Sequence, residues 1–174
     1  MPDVDLDFDV VDLGPADNPS EGAKAPDFQR PLVTNEYWED RSLDAVVTES
    51  DGPTVLLFHP MVGSFPATYL WQEVTEREWA SDATVVAVSI ATPYAHKELI
   101  DHHDLGTDYR LFSDPGNGVA EQYGIVHDLD GMAGVSEPRP AAFILDEDRE
   151  IEFAWVAQQW PEFPPYDEIE ATFR

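Results

Sequence analysis

Thr54-Val55-Leu56-Leu57-Phe58-His59-Pro60-Met61-Val62-Gly63-Ser64-Phe65-Pro66-Ala67-Thr68 is the stretch that decides how this chain folds. Thr54 to His59 is an unbroken apolar run of strand length, suited to a strand buried on both faces in the middle of a sheet. Pro60 and Gly63 then supply turn chemistry. Ser64 offers a hydroxyl able to cap a helix, and Pro66 a fixed φ suited to its first turn. The helix that follows carries Trp71, Val74 and Glu78 at near-helical spacing, with Tyr69 and Trp79 available to pack. A central strand thus passes through a tight turn straight into a helix.

Outward from that unit the same alternation continues. Thr84 to Ile90 reads as a second central strand, His96 to His103 as a helix and Tyr109 to Phe112 as a short strand. Val119 to Tyr123 reads as a short helix ended by Gly124, and Tyr166 to Phe173 as a closing helix. Ala141 to Leu145 and Ile151 to Val156 form a hairpin around Asp146-Glu147-Asp148-Arg149. Upstream, Arg41 to Thr48 reads as a short helix closed by the turn Ser50-Asp51-Gly52-Pro53. Val4, Leu6, Phe8 and Val10 alternate with Asp3, Asp5, Asp7 and Asp9, which predicts a half-buried strand over Val4 to Leu13 with an acidic outer edge. Four aspartates at period two on a straight strand do not converge on one calcium ion. Strands alternating with helices, then a hairpin and a helix, predict an α/β fold of three layers. It has a mixed central sheet flanked by helices, with an extra N-terminal strand. The expected division is an N-terminal strand and loop over 1–24 and one domain over 25–174.

The charge balance excludes several functions. Of 174 residues, 36 are acidic and 9 basic, for a formal net charge of −27, and the only lysines are Lys24 and Lys97. Phosphates would be repelled, so no nucleic acid is expected as a partner. Self-repulsion on this scale opposes compaction in dilute buffer. It fades when molar salt shortens the screening length to about 3 Å, so the expected setting is the salt-filled cytosol of an extreme halophile. An acidic face that recruits a basic partner is the other reading, and the even spread of the acids along the chain favours the first. Met1 to Ser20 has neither a basic start nor an apolar run of signal length, and no stretch is long enough to span a bilayer. The expected location is cytoplasmic, with no membrane partner. There is no cysteine, hence no disulfide and no thiolate metal site.

Five landmarks in order resemble the peroxiredoxin-like AhpC/TSA (redoxin) family of the thioredoxin-fold superfamily. Ala25-Pro26-Asp27-Phe28 resembles the family's opening motif, and Val55 to Pro60 the strand leading to its active site. Val85 to Ser89 followed by His96-Lys97 is similar to the second strand and its helix. Leu111-Phe112-Ser113-Asp114-Pro115 with Val119 to Gly124 is similar to the stretch after it. Pro138-Arg139-Pro140-Ala141-Ala142-Phe143-Ile144-Leu145-Asp146 resembles the strand bearing the family's active-site arginine. The resemblance implies a thioredoxin-like fold and the family label of antioxidant oxidoreductase or peroxidase. Two departures set that activity in doubt. In the family pattern a proline, then a Thr or Ser, then the peroxide-reducing cysteine follow at fixed spacing; here Pro60 and Ser64 keep their places and Ala67 stands where the cysteine would be. The family arginine stands three residues before the strand phenylalanine, whereas Arg139 stands four before Phe143 and Pro140 takes the nearer position, one that many thioredoxin-like proteins give to a cis-proline.

No catalytic residue is therefore assigned and no peroxidase activity is expected. The candidate binding residues are Pro60, Ser64, Ala67, Thr68 and Arg139, around helix-start amides suited to a small anion; the alternative is that Pro60, Ser64 and Pro66 only shape and cap the turn. No cofactor and no metal are expected: His102 and His103 are sequence neighbours that point apart on a helix, and His96 and His103 are two turns apart. Trp155, Trp160, Phe163 and Tyr166 are expected to seal the C-terminal edge, with a dimer contact as the other reading. The leading expectation is a non-catalytic redoxin homologue, a pseudoenzyme that binds a small anion or a partner protein, or forms a homodimer. The alternative is an enzyme with a rebuilt site around Ser64, His59 and Arg139, which requires a base within reach of Ser64.

Overall fold

The computed structural model describes residues 9–129 and 131–174. The chain begins with a two-residue strand β1 (Val11–Asp12), then the hairpin β2 (Gln29–Val33) and β3 (Trp38–Ser42). Helix α1 (Leu43–Glu49) leads to β4 (Thr54–Phe58), α2 (Phe65–Glu76), β5 (Thr84–Ser89), α3 (Pro93–His102) and β6 (Tyr109–Ser113). After α4 (Gly118–Gln122) come the short strands β7 (Val126–His127) and β8 (Glu137–Pro138). The hairpin β9 (Ala141–Leu145) and β10 (Ile151–Val156), strand β11 (Gln159–Trp160) and helix α5 (Tyr166–Phe173) complete it.

Seven strands make the central sheet, in the order β10-β9-β4-β5-β6-β2-β3. Strands β4, β5 and β6 pair in parallel, and the other pairs are antiparallel, so the sheet is mixed. The middle strands are buried along their whole length because both faces are covered. Leu56, Phe58, Val86, Val88, Phe112 and Phe143 pack with Leu43 and Val46 of α1 and Val119 of α4. Val55, Leu57, Val85, Ala87, Leu111 and Ile144 pack with Trp71 of α2, Ile100 of α3 and Ile169 of α5. Side-chain alternation along each strand therefore feeds two cores, one per face. This is the three-layer α/β arrangement that the alternation of elements predicts, in the thioredoxin-like form that the resemblance implies.

Helix starts follow their caps. The expected helix at Arg41 begins at Leu43, because Ser42 is the cap and its hydroxyl accepts from the Ala45 amide at 3.0 Å. The expected helix at His96 begins at Pro93, because Thr92 caps it by accepting from the Ala95 amide at 3.3 Å. The hairpin β2–β3 has no counterpart in the sequence reading: Pro31 interrupts its first strand and Glu39-Asp40-Arg41 give the second no apolar alternation. That charge suits an open sheet edge, where it resists pairing with another chain.

The N-terminal strand differs from expectation. Most of the predicted span, Met1 to Phe8, lies outside the described residues. The remainder forms only Val11–Asp12, antiparallel to Gln159–Trp160 and separate from the central sheet. Both residues of β1 are exposed, and Val10, expected to face inward, is 58% exposed. No helix among the described residues is long and apolar enough to cross a membrane.

The segment after β1 crosses the end of α4 at close quarters. Gly124 has φ +65, and a Cβ there would lie 2.0 Å from the Asp17 carbonyl oxygen. Only glycine tolerates both the left-handed backbone and that approach. Gly124→Ala is expected to lower unfolding stability by about 2 kcal/mol or more. Chemical denaturation in molar salt measures this; an unchanged midpoint would contradict it.

Candidate functional site

The turn between β4 and α2 is pinned from below. The Met61 amide donates to Glu137 Oε1 at 2.7 Å, and Glu137 is 2% exposed. The Ser64 amide closes the turn on the Met61 carbonyl at 3.1 Å, with Gly63 at φ +92. Ser64 is the N-cap of α2 by backbone geometry, but its hydroxyl makes no cap bond and is buried without a hydrogen-bond partner among the described residues. The Ser64 carbonyl instead accepts from both the amide and the hydroxyl of Thr68, each at 3.0 Å.

His59 is fully buried, and its surroundings fix its tautomer. Trp71 Nε1–H can only donate, and it points at His59 Nε2 at 3.3 Å. The proton therefore sits on Nδ1, which donates to the Pro60 carbonyl at 2.7 Å. Burial pulls the pKa of this imidazole down to about 4. Both ring nitrogens are occupied, so His59 is not a base for Ser64. With no hydrogen bond to any partner, Ser64 Oγ lacks the contact that an activated nucleophile needs.

The five candidate residues separate. Ala67 is 1% exposed; with Thr68 it lines an open cavity of about 430 Å³, shared with Val62, Gly63, Glu98, Leu99, His102 and His103. Pro60 belongs to the other side of the turn. There Pro66, Pro140, Phe163 and Pro164 close around a space of only about 10 Å³, no more than one water needs. Phe163 also meets Phe65 and Tyr69 edge-on at 6.4 and 6.1 Å. Pro140 follows a trans peptide bond, the cis bond lying at Trp160–Pro161.

Arg139 lines neither cavity. It is 8% exposed, and its guanidinium donates to the carbonyls of Gly14 at 2.8 Å, Leu13 at 3.0 Å and Ala157 at 3.4 Å. It is thus tied to the segment after β1. The sequence shows Arg139 displaced in register but not what it holds, because the partners are main-chain atoms, two of them more than a hundred residues away.

Two lining residues were discounted on sequence. His102 and His103 were read as diverging on a helix, yet α3 ends at His102, and His103 is its C-cap at φ −96, ψ 3. The rings meet edge-on, 4.9 Å between centroids, and both face the Ala67 cavity. Asp104 takes φ +52 to end the helix without a glycine, so the usual stop signal is missing. Burial, then the neighbouring His102, lowers the pKa of His103. The site thus joins the positive start of α2 to the negative end of α3.

His96 is a satisfied core histidine: Ser89 Oγ lies 2.7 Å from Nε2 and Ser113 Oγ 2.8 Å from Nδ1, and burial lowers its pKa to about 3. His59 and His96 are held neutral in the fold but take up protons below about 6.5 once unfolded. Their depressed pKa values leave stability untouched above that pH. Below it, each removes about 1.4 kcal/mol per pH unit, down to about pH 4 for His59. His96→Asn is expected to flatten the stability-against-pH slope between 6 and 4 by about that amount. Denaturation at constant salt measures it, and equal slopes would contradict the assignment.

The AhpC/TSA family model matches residues 22–154. No curated protein sequence matches the chain. Among solved structures, the reduced 2-Cys peroxiredoxin of Plasmodium vivax superposes with a TM-score of 0.70 at 17% identity, over 87% of this chain and 79% of that one. AhpC of Enterococcus faecalis gives 0.69 at 18%, over 88% and 89%. Peroxidoxin BcpB of Mycobacterium tuberculosis gives 0.61 at 24%, over 78% and 84%. Identities this low speak to the fold alone, while the family match spans most of the chain. The chain is a member of the AhpC/TSA family, with its thioredoxin-like fold and without a single cysteine.

Proposed function

We propose that this protein is a non-catalytic member of its family, a pseudoenzyme that binds a small anion in the cavity beside Ala67. The observation that carries the reading is that cavity. A helix start, where a family member would place its thiolate, opens onto about 430 Å³ of space flanked by Thr68, His102 and His103. The Ala67 amide has no hydrogen bond among the described residues, and a helix start favours negative charge. Glu98 on the rim opposes an anion at high pH, and the imidazoles offset it once protonated. A methyl group at position 67 cannot attack peroxide, and Ser64 has no base to activate it. The rebuilt-enzyme alternative thus lacks its first requirement.

The acidic composition supports a cytosolic life at high salt, where the repulsion of 36 carboxylates is screened. A partner protein or a second copy is the other use of a dismantled site. Neither has an observation here as specific as the cavity.

Phosphate and acetate titrations, followed by the imidazole proton resonances at constant ionic strength, test the reading. Affinity is expected to rise by up to about tenfold per pH unit as pH falls through the lowered pKa of His103, which lies below the ordinary histidine range, and His103→Gln is expected to remove most of that rise. Resonances of His102 and His103 that ignore both anions at every pH would overturn it.

A further inference from the structure

Six of the seven arginines have their charge answered. Arg30 pairs with Asp114, Arg41 with Glu39 and Glu49, and Arg77 with Glu73, Asp167 and Glu170. Arg149 pairs with Asp27 and Asp44, Arg174 with Asp82 and Glu170, and Arg139 holds three carbonyls. Arg110 alone among them has a side chain with neither an ion pair nor a hydrogen bond among the described residues. In a chain where carboxylates outnumber cations 36 to 9, leaving a guanidinium unanswered is unexpected on charge statistics alone.

Its position makes the omission more pointed. Arg110 stands near the start of β6, in register with Val86 of β5. That is the end of the parallel strands opposite the Ser64 turn, so the Ala67 cavity is not involved. Arg110 is half-buried, and burial lowers its pKa, with the like charge of Arg41 adding to the effect. Glu49 acts on it as a counter-charge, but Arg41 holds that carboxylate at 2.6 Å. The side chain lines a cavity of about 390 Å³, the size of small-molecule sites. Ala80 and Ala83 give that cavity an apolar part, and Thr107 and Tyr37 bring hydroxyls with no hydrogen bond among the described residues. Two carboxylates, Glu36 and Asp108, line the same cavity without reaching the guanidinium.

We propose that this cavity is a second binding site, for a small zwitterion of the amino-acid type. Arg110 would take its carboxylate, and Glu36 and Asp108 its ammonium group. A guanidinium fork matches a carboxylate in two parallel bonds. The two lining acids argue against a multiply charged anion such as phosphate and for a ligand carrying a positive charge of its own. Tyr37 adds an aromatic ring to the same lining, a group that suits a cationic ligand.

The test uses the whole protein in molar potassium chloride, with L-alanine, acetate, methylammonium and phosphate as separate probes. Binding is read by calorimetry and by the amide resonances of residues 107–110. L-alanine is expected to bind at least tenfold more tightly than acetate or methylammonium. Arg110→Gln is expected to abolish that binding, and Glu36→Gln with Asp108→Asn to reduce it to the level of acetate. Arg110→Lys keeps the charge and loses the fork, and is expected to weaken binding about tenfold. Equal binding of alanine and acetate, preference for phosphate, or no response of residues 107–110 to alanine in the wild-type protein would each overturn the proposal.

Discussion

The guanidinium of Arg139 is buried, and a buried charge has to find hydrogen-bond partners or give up its charge. Here it finds carbonyl oxygens of Leu13, Gly14 and Ala157. That choice links three parts of the molecule: the segment after β1, the connection into β9, and the chain beyond β10. The same segment is fastened nearby by the Leu13 amide on the Gln158 carbonyl at 2.8 Å and by the β1–β11 ladder. Further along it runs against Gly124. The arginine that resembles a catalytic group by sequence works as a clasp on the N-terminal segment.

Loss of the cysteine and withdrawal of the arginine are consistent with each other. A thiolate at the start of α2 would need a nearby cation to lower its pKa. With alanine there, a cation left in the site would be buried without its partner. Turning Arg139 toward main-chain oxygens removes that cost. The Pro60 side of the turn is closed by Pro140, Phe163 and Pro164, and an opening lies on the other side, between α2 and α3.

The central strands, their alternation with helices and the mixed sheet follow from features visible in the sequence. The apolar runs of β4, β5 and β9 are long, β-branched or aromatic, and bounded by turn residues, so neither period nor length is ambiguous. The β2–β3 hairpin escaped because its edge strand, Trp-Glu-Asp-Arg-Ser, is written for solvent and carries no inward stripe. At the site, Ala67 and Thr68 were legible because they sit at fixed spacing from Pro60 along one turn. His102 and His103 were not, because α3 ends at His102 without a glycine to mark the stop, and the two rings meet at that helix end in one cavity lining. The unanswered charge of Arg110 appears only after every other arginine has been assigned its partner in space.

Peroxide consumption by Ala67→Cys in molar potassium chloride, with the wild-type protein as blank, tests the central claim most directly. With Arg139 committed elsewhere and the pKa of His103 lowered by burial, the start of α2 lowers the pKa of the new thiol while burial at residue 67 raises it, for a net change from about 8.5 of less than about one unit. The account predicts a folded variant whose thiol reacts with peroxide as slowly as an ordinary exposed one, and no slower when Arg139→Met is added. A thiol pKa below about 6 with immediate stoichiometric loss of peroxide would contradict it, because it would require a cation within reach of residue 67 and an intact peroxide pocket.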